Sequence, residues 1–396
     1  MKSQFRGFLF EAKHLTGLLV AAATVAVLLY TEVGAVAQSK STLSALPPTP
    51  QAPKDNPTTP AKVALGRLLF WDPLLSGPQD VACASCHHPQ NGYAEDRDLS
   101  LGVTAIGLGS KRRQAPGSSI PIVKRNSPTV VNIAFSGSDE SGRYDPATAP
   151  MFWDMRVKSL EKQALEPLKA HEEMRGTTYP EDEALARVVA KLQANAEYRS
   201  LFAGAFGGAQ PVNAENLGRA IAAFERTLLA NNSPFDRYMR GDRSAMTEEQ
   251  VSGMRRFESV GCVKCHNGPM FSDYKLHVMG LPDNPALPAS DDGAEKTYAF
   301  RTASLRNLAF TAPYEHNGMF RTLSDVVGFY EDARGGRSRN PNVSSEKLDP
   351  LIRELGDFDE EDVDLIEFLR ALSDDSFDRT IPERVPSGLP VGGRIQ

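Results

Sequence analysis

Two short stretches hold all four cysteines of the chain: "VACASCHHPQ", which begins at Val81, and "VGCVKCHNGP", which begins at Val260. Each presents two thiols separated by two residues with a histidine directly after them: Cys83, Cys86 and His87, then Cys262, Cys265 and His266. Two disulfides are one reading of four cysteines, but a Cys-x-x-Cys bridge closes a loop too small to staple a fold. Zinc is another, but a zinc ribbon keeps its pairs within a few tens of residues, and these pairs lie in opposite halves of the chain. Cys-x-x-Cys-His is the attachment signature of c-type haem, in which both thiols bond to the vinyl groups and the adjacent imidazole binds the iron. With 7 histidines in 396 residues, a chance histidine after both pairs is remote. Two covalently bound c-type haems are therefore expected.

Composition sets the frame that must position them. A chain of this length, 41% hydrophobic, buries ample core and has room for two or three domains. Its net charge of -6 is mild and its basic residues are scattered, which excludes a nucleic-acid-binding surface as the main function. Lys2, Arg6 and Lys13 precede the apolar run "LTGLLVAAATVAVLLY", and Ala35 and Ala37 fit a small-x-small cleavage site, so residues 1–37 read as an export signal or an uncleaved N-terminal anchor. Both readings place the rest outside the cytoplasm, in the periplasm, where covalent haem is at home. Residues 38–58 are rich in Pro, Ser and Thr without periodicity and read as a flexible linker.

A helix is expected to open at Thr59 with Pro60 at its first position, presenting Val63, Leu65, Leu68 and Leu69 ahead of the first motif. The second motif has the same prelude: Thr247 and Gln250 form a capping-box pattern, and Val251, Met254 and Phe257 follow at three-residue steps. Each half also closes on an amphipathic helix, one with Ile221, Phe224 and Leu228 on a stripe, the other with Val363, Ile366 and Leu369. The pattern predicts a mainly α fold of two cytochrome c-like haem domains with long irregular loops, residues 59–240 and 241–396.

Beyond residue 60 the stretches "LGRLLFWDPLLSG", "KRNSPTVVNIAF", "MFWDMRVKSLEKQALEPL" and "FRTASLRNLAFTAPYEHNGMFRTLSDVVGFY" resemble, in order, the bacterial di-haem cytochrome c peroxidase and MauG family. The resemblance implies that Trp153 lies between the two haems as an electron relay, and that Gln163, Pro167 and Glu173 line the pocket over the first haem. A carboxylate there can take the proton from one peroxide oxygen and return it to the other as the bond breaks. A calcium ion between the domains would be held by the Asn126 side chain and the carbonyls of Thr311 and Pro313; oxygen donors suit that cation.

Two departures from the family pattern bear on mechanism. In many relatives a histidine after the first motif blocks the first haem until reduction, and the segment from Asn91 to Pro128 contains no histidine. An open first haem, reactive with peroxide in the fully oxidised protein, is the implied state. At the second haem many peroxidases have a methionine opposite the proximal histidine, where the family register puts Tyr330, as in MauG-like members; Met319 is the competing ligand. A phenolate favours the ferric state and a thioether the ferrous. His277 and His316 are expected to make hydrogen bonds around the haem.

Three functions follow. The first is a peroxidase that reduces hydrogen peroxide at the first haem, with electrons from a small cytochrome c or copper protein passing through the second. The second is a MauG-like oxidase that modifies Trp or Tyr residues of a partner protein. The third is a non-catalytic electron carrier, against which the histidine-free segment counts. The oligomeric state is left open.

Overall fold

A computed structural model describes residues 42–396; the proposed leader, and residues 38–41 of the linker, lie outside the described residues. Helix α1 (Pro60–Trp71) starts where expected: Thr59 caps it by accepting from the Lys62 amide, and Pro60 takes the first turn, where no N–H is needed. Short α2 (Cys83–Cys86) carries the first cysteine pair, and short α3 (Leu160–Gln163) follows a hairpin of β3 (Pro150–Met151) with β4 (Val157–Lys158). Then come α4 (Ala184–Ala194), α5 (Ala196–Phe206) and α6 (Ala214–Glu225). The second half holds α7 (Pro234–Met239), α8 (Glu248–Ser259), α9 (Leu323–Arg334) and α10 (Val363–Arg370). Two further antiparallel pairs, β1 (Ala105–Ile106) with β2 (Arg113–Gln114) and β5 (Leu276–Val278) with β6 (Ala299–Arg301), pin loops rather than build a sheet. The fold is mainly α with long irregular connections, as expected.

The repeat inferred from the helices is geometric as well. Helix α1 crosses α6 at Gly66, where a Cβ would lie 2.0 Å from the Ala220 carbonyl oxygen and 2.9 Å from the Phe224 Cβ. Helix α8 crosses α10 at Gly253, where a Cβ would lie 1.9 Å from the Asp364 oxygen and 2.8 Å from the Phe368 Cβ. In both halves a glycine lets the helix before the motif touch the closing helix, with an aromatic one turn further along. A second duplication is Asn132 and Asn307, each in a left-handed conformation ahead of a 3-10 turn, each donating its amide to a carbonyl just past the closing helix, Leu228 or Leu372.

Two hydrophobic clusters follow this duplication. One joins α1, α4, α5 and α6 through residues such as Leu69, Phe70, Leu192, Phe202 and Phe224; the other joins α7, α8 and α10 through Phe235, Phe257, Phe271 and Phe368. Along the closing stripes Ile221, Phe224 and Leu228 are buried, as are Ile366 and Leu369, but Val363 is 65% exposed. It is the first residue of α10, ahead of the turn whose face meets α8; Leu365 and Phe368 complete that face instead.

The expectation of a flexible linker fails for residues 42–58. Leu43 sits in the second cluster, and the Leu46 amide donates to Asp236 at 2.9 Å. Asn56 is fully buried, receives the Lys62 ammonium at 3.0 Å and donates to Glu161 at 2.8 Å. Composition suggested a tether, but two buried leucines, the Asn56 amide and backbone carbonyls such as those of Thr42 and Leu46, which accept from Gly268 and Arg240, anchor it. The other end crosses in the opposite sense: Phe377 and Val385, after α10, join the first cluster. Packing therefore departs from a division at residue 240 at both ends of the described chain.

Candidate active site

None of the four cysteines is paired in a disulfide, so the disulfide reading is not realised. Burial pushes the Cys83 and Cys262 thiols up to about 12 and raises Cys86 well above its ordinary value. His87 closes α2 with its amide on the Cys83 carbonyl, and its ring Nδ1 lies 3.1 Å from the Tyr93 carbonyl oxygen. His266 repeats the geometry, with its amide on Cys262 and Nδ1 at 3.0 Å from the Phe271 oxygen. A carbonyl only accepts, so the proton must sit on Nδ1, and burial lowers the basicity of both rings and keeps them neutral. Each motif therefore offers two thiols and one Nε2 lone pair with a fixed tautomer, the donor set that a covalently attached haem requires.

A cavity of about 240 Å³ adjoins the second motif, with mostly apolar walls. Cys262, Cys265 and His266 line it, as do Tyr330, Leu355, Phe358 and Leu369, a setting that fits a macrocycle. Tyr330 lines the cavity together with His266, while Met319 is not among its lining residues. Burial, followed by Glu315 and the two cysteines, raises the Tyr330 phenol well above its ordinary value. It is a phenol as the residues stand, and a phenolate there needs the positive charge of a metal.

The same cavity reaches Trp153, Asn126, Thr311, Pro313 and His316. Trp153 sits in the turn between β3 and β4 and donates its indole N–H to the Asn126 carbonyl at 3.0 Å. The Asn126 amide donates to the His316 carbonyl at 2.7 Å, and its side chain donates to the Arg97 carbonyl at 2.9 Å. Arg125 bonds Asp154 on one side and Asp291 on the other, each at 2.6 Å, which fixes the residues next to Trp153 and Asn126. His316 stacks on Phe300 at 3.6 Å and turns an edge to Trp153; its buried Nδ1 has no hydrogen-bond partner among the described residues. His277 is instead engaged by Asp349 at 2.6 Å and Asp273 at 3.1 Å. With Cys265 and Asp273 it forms a possible metal triad among the described residues, but both imidazole nitrogens are already committed to carboxylates.

Gln163 ends α3 and, like Pro167, is half-buried; Glu173 lies on a π-helical turn, His171–Arg175, an irregularity common at functional sites. Two glycines clamp this turn. The Gly77 amide donates to Met174 at 2.7 Å, and a Cβ on Gly102 would lie 2.1 Å from the Glu172 oxygen. Burial, then the neighbouring Glu172, raises the Glu173 carboxyl to about 7, although the residue as a whole is only half-buried. Its charge adds a minor upward contribution at both Cys83 and Cys86, so its field reaches the first motif.

Three acids escaped sequence reasoning. Glu95 is 1% exposed, and burial raises it to about 7 against the opposing influence of Ser100, Arg112 and Arg97. Glu225 on α6 is raised to about 8, and Glu315 on the cavity wall to about 7, again by burial. Glu95 stands beside Asp96, Glu225 lies in the apolar stretch "IAAFERTLL" and Glu315 in "PYEHNG", and no motif marked any of them. The paired "NIAF" and "NLAF" tetrapeptides, by contrast, could have revealed the Asn132 and Asn307 duplication.

Two haem-type motifs, each beneath a crossed helix pair in a mainly α chain, define a di-haem c-type oxidoreductase. Residues 60–244 match the family model for di-haem cytochrome c peroxidase. The cytochrome-c peroxidase IdrP1 of Pseudomonas sp. strain SCT is 35% identical over 392 residues, covering 90% of this chain and 91% of its own. The methylamine utilization protein MauG of Methylorubrum extorquens is 34% identical over 337 residues, covering 84% and 83%. A crystal structure of a MauG-like protein associated with microbial copper homeostasis superposes with a TM-score of 0.66 at 29% identity, over 84% of this chain and 95% of that one. The chain belongs to the di-haem cytochrome c peroxidase family.

Proposed function

We propose that this chain is an exported, periplasmic peroxidase that reduces hydrogen peroxide to water over its first haem, with electrons entering by way of the second. The observation that carries the reading is Glu173, a carboxyl raised to about 7 whose field reaches the first cysteine pair. When bound, the two haems supply the redox chemistry: two electrons and two protons convert one peroxide to two waters. The chain's own part is to move protons and hold geometry. A carboxyl poised near neutrality accepts a proton from one peroxide oxygen and delivers it to the other, which leaves as water. Gln163 offers an amide to orient the peroxide, and Pro167 stiffens the backbone between it and Glu173. Trp153, fixed at its N–H by Asn126, is the relay between the two sites.

A small cytochrome c or copper protein is the proposed donor, and a calcium ion on Asn126, Thr311 and Pro313 the proposed brace between the haem sites. No helix among the described residues is long and apolar enough to cross a membrane. Tyr330 on the cavity wall favours a second reading, a MauG-like oxidation of Trp or Tyr residues in a partner protein, because a phenolate ligand would hold oxidising equivalents. The test is Glu173→Gln, which keeps the shape and removes the titrating group. The rate of reaction with peroxide should fall by about 100- to 10,000-fold, with two haems still attached; a rate equal to wild type would sink the assignment.

A further inference from the structure

We propose that the C-terminal tail, residues 374–396, is a positioning device for His87, so that the first haem is tuned from the far end of the chain. This rests on the reading of His87 as that haem's proximal ligand. After α10 the chain leaves the second cluster and lies along the first motif. Phe377 is buried there, its ring 6.0 Å from that of Tyr93. The Tyr93 hydroxyl donates to the Asp378 carbonyl at 2.8 Å, and the Tyr93 carbonyl is the oxygen that receives His87 Nδ1. One fully buried residue thus couples the tail to the imidazole.

A second tie lies between the cysteines. Ser85 donates its hydroxyl to the Gly392 carbonyl at 2.8 Å and receives the Ala82 amide at 2.9 Å. Gly393, at a φ of 77°, packs so closely that a Cβ would lie 2.3 Å from the Asp80 oxygen, which also accepts the Arg394 amide. The tail is therefore seated against both the segment entering the motif and the motif itself.

The second half provides the comparison. There the oxygen that receives His266 belongs to Phe271, whose ring is packed by Phe235, Phe257 and Phe368 and has no hydroxyl to tie elsewhere. The two histidines share their local geometry, but the first is wired to a distant segment through a phenol that the second lacks. Because the Nδ1 hydrogen bond sets the orientation and basicity of a ligating imidazole, displacement of Tyr93 should alter the first iron alone.

The experiment compares the full-length holoprotein with Tyr93→Phe, which copies the residue of the second site, and with Ser85→Ala, which releases Gly392. Haem content, the iron–histidine stretching band of each reduced haem, each midpoint potential and the peroxide rate are measured. The expected result is a shifted band and potential at the first haem, an unshifted second haem, and a peroxide rate lowered by up to about 10-fold. Unchanged bands at both haems in both variants would overturn the proposal, as would equal shifts at both, which mean general loosening. A wild-type protein with no haem on the first motif would overturn the underlying assignment of His87 instead.

Discussion

Glu173 owes its neutral-range carboxyl to burial and to Glu172 beside it, both of which disfavour the charged form. Its ordinary value is 4.5 and its folded value about 7, so the fraction able to accept a proton grows as pH rises through about 7. The peroxide reaction of the oxidised protein should therefore accelerate across that range and level off above it, and the profile should flatten in Glu173→Gln. A wild-type rate that does not respond to pH between 6 and 8 would remove Glu173 from the reaction. Tyr330 carries a separate expectation. If its phenolate binds the second iron, Tyr330→Met should raise that haem's midpoint potential, since a thioether favours the ferrous state. A potential unchanged from wild type, measured by spectroelectrochemical titration, would assign the ligand elsewhere. Neither residue advertised itself locally: Glu173 sits in "HEEMRG" like a solvated acid, and its role was legible only through family spacing.

Helices that combine a cap with periodic apolar residues were readable in advance. Thr59 caps α1, and Thr247 with Gln250 forms the box that opens α8, because a side-chain oxygen three residues from an orphan amide satisfies it with little help from tertiary structure. Val363 shows where periodicity misleads: it fits the stripe, but the first position of a helix need not face the partner. The glycines at the crossings were invisible too, since a small residue reveals its purpose only when the opposing backbone is known. Gly253→Ala would place a methyl carbon against the Asp364 carbonyl and push α8 from α10. The expected loss is about 1–3 kcal/mol or more, read from the urea midpoint of the holoprotein; a midpoint within error of wild type would mean that the crossing has slack. The π turn holding Glu173 is of the same kind, because its form depends on Gly77 and Gly102 from distant segments.

At the scale of the molecule, the duplication of leading helix, motif and closing helix followed from the sequence, whereas the helix crossings and the exchange of chain ends did not. The segment at 42–58 looked like a linker because Pro, Ser and Thr dominate it, yet Leu43, Leu46 and Asn56 find buried partners. A buried ion pair, Arg306 with Asp236 at 2.8 Å, gathers four remote segments: Asp236 also receives the Leu46 amide, and Arg306 also donates to the Pro269 carbonyl just after the second motif. Such long-range ties seat the start of the described chain and the segment after the second motif on the same buried charge pair. Their partners are far apart in sequence, so no local pattern records them.

The most direct test is electron paramagnetic resonance of the fully oxidised holoprotein before and after one equivalent of hydrogen peroxide. The histidine-free segment from Asn91 to Pro128 predicts one high-spin signal from an open first haem and one low-spin signal from the second, both lost on addition of peroxide. Two low-spin signals that persist in the presence of peroxide would contradict an open first haem and leave a protein that needs prior reduction or only carries electrons.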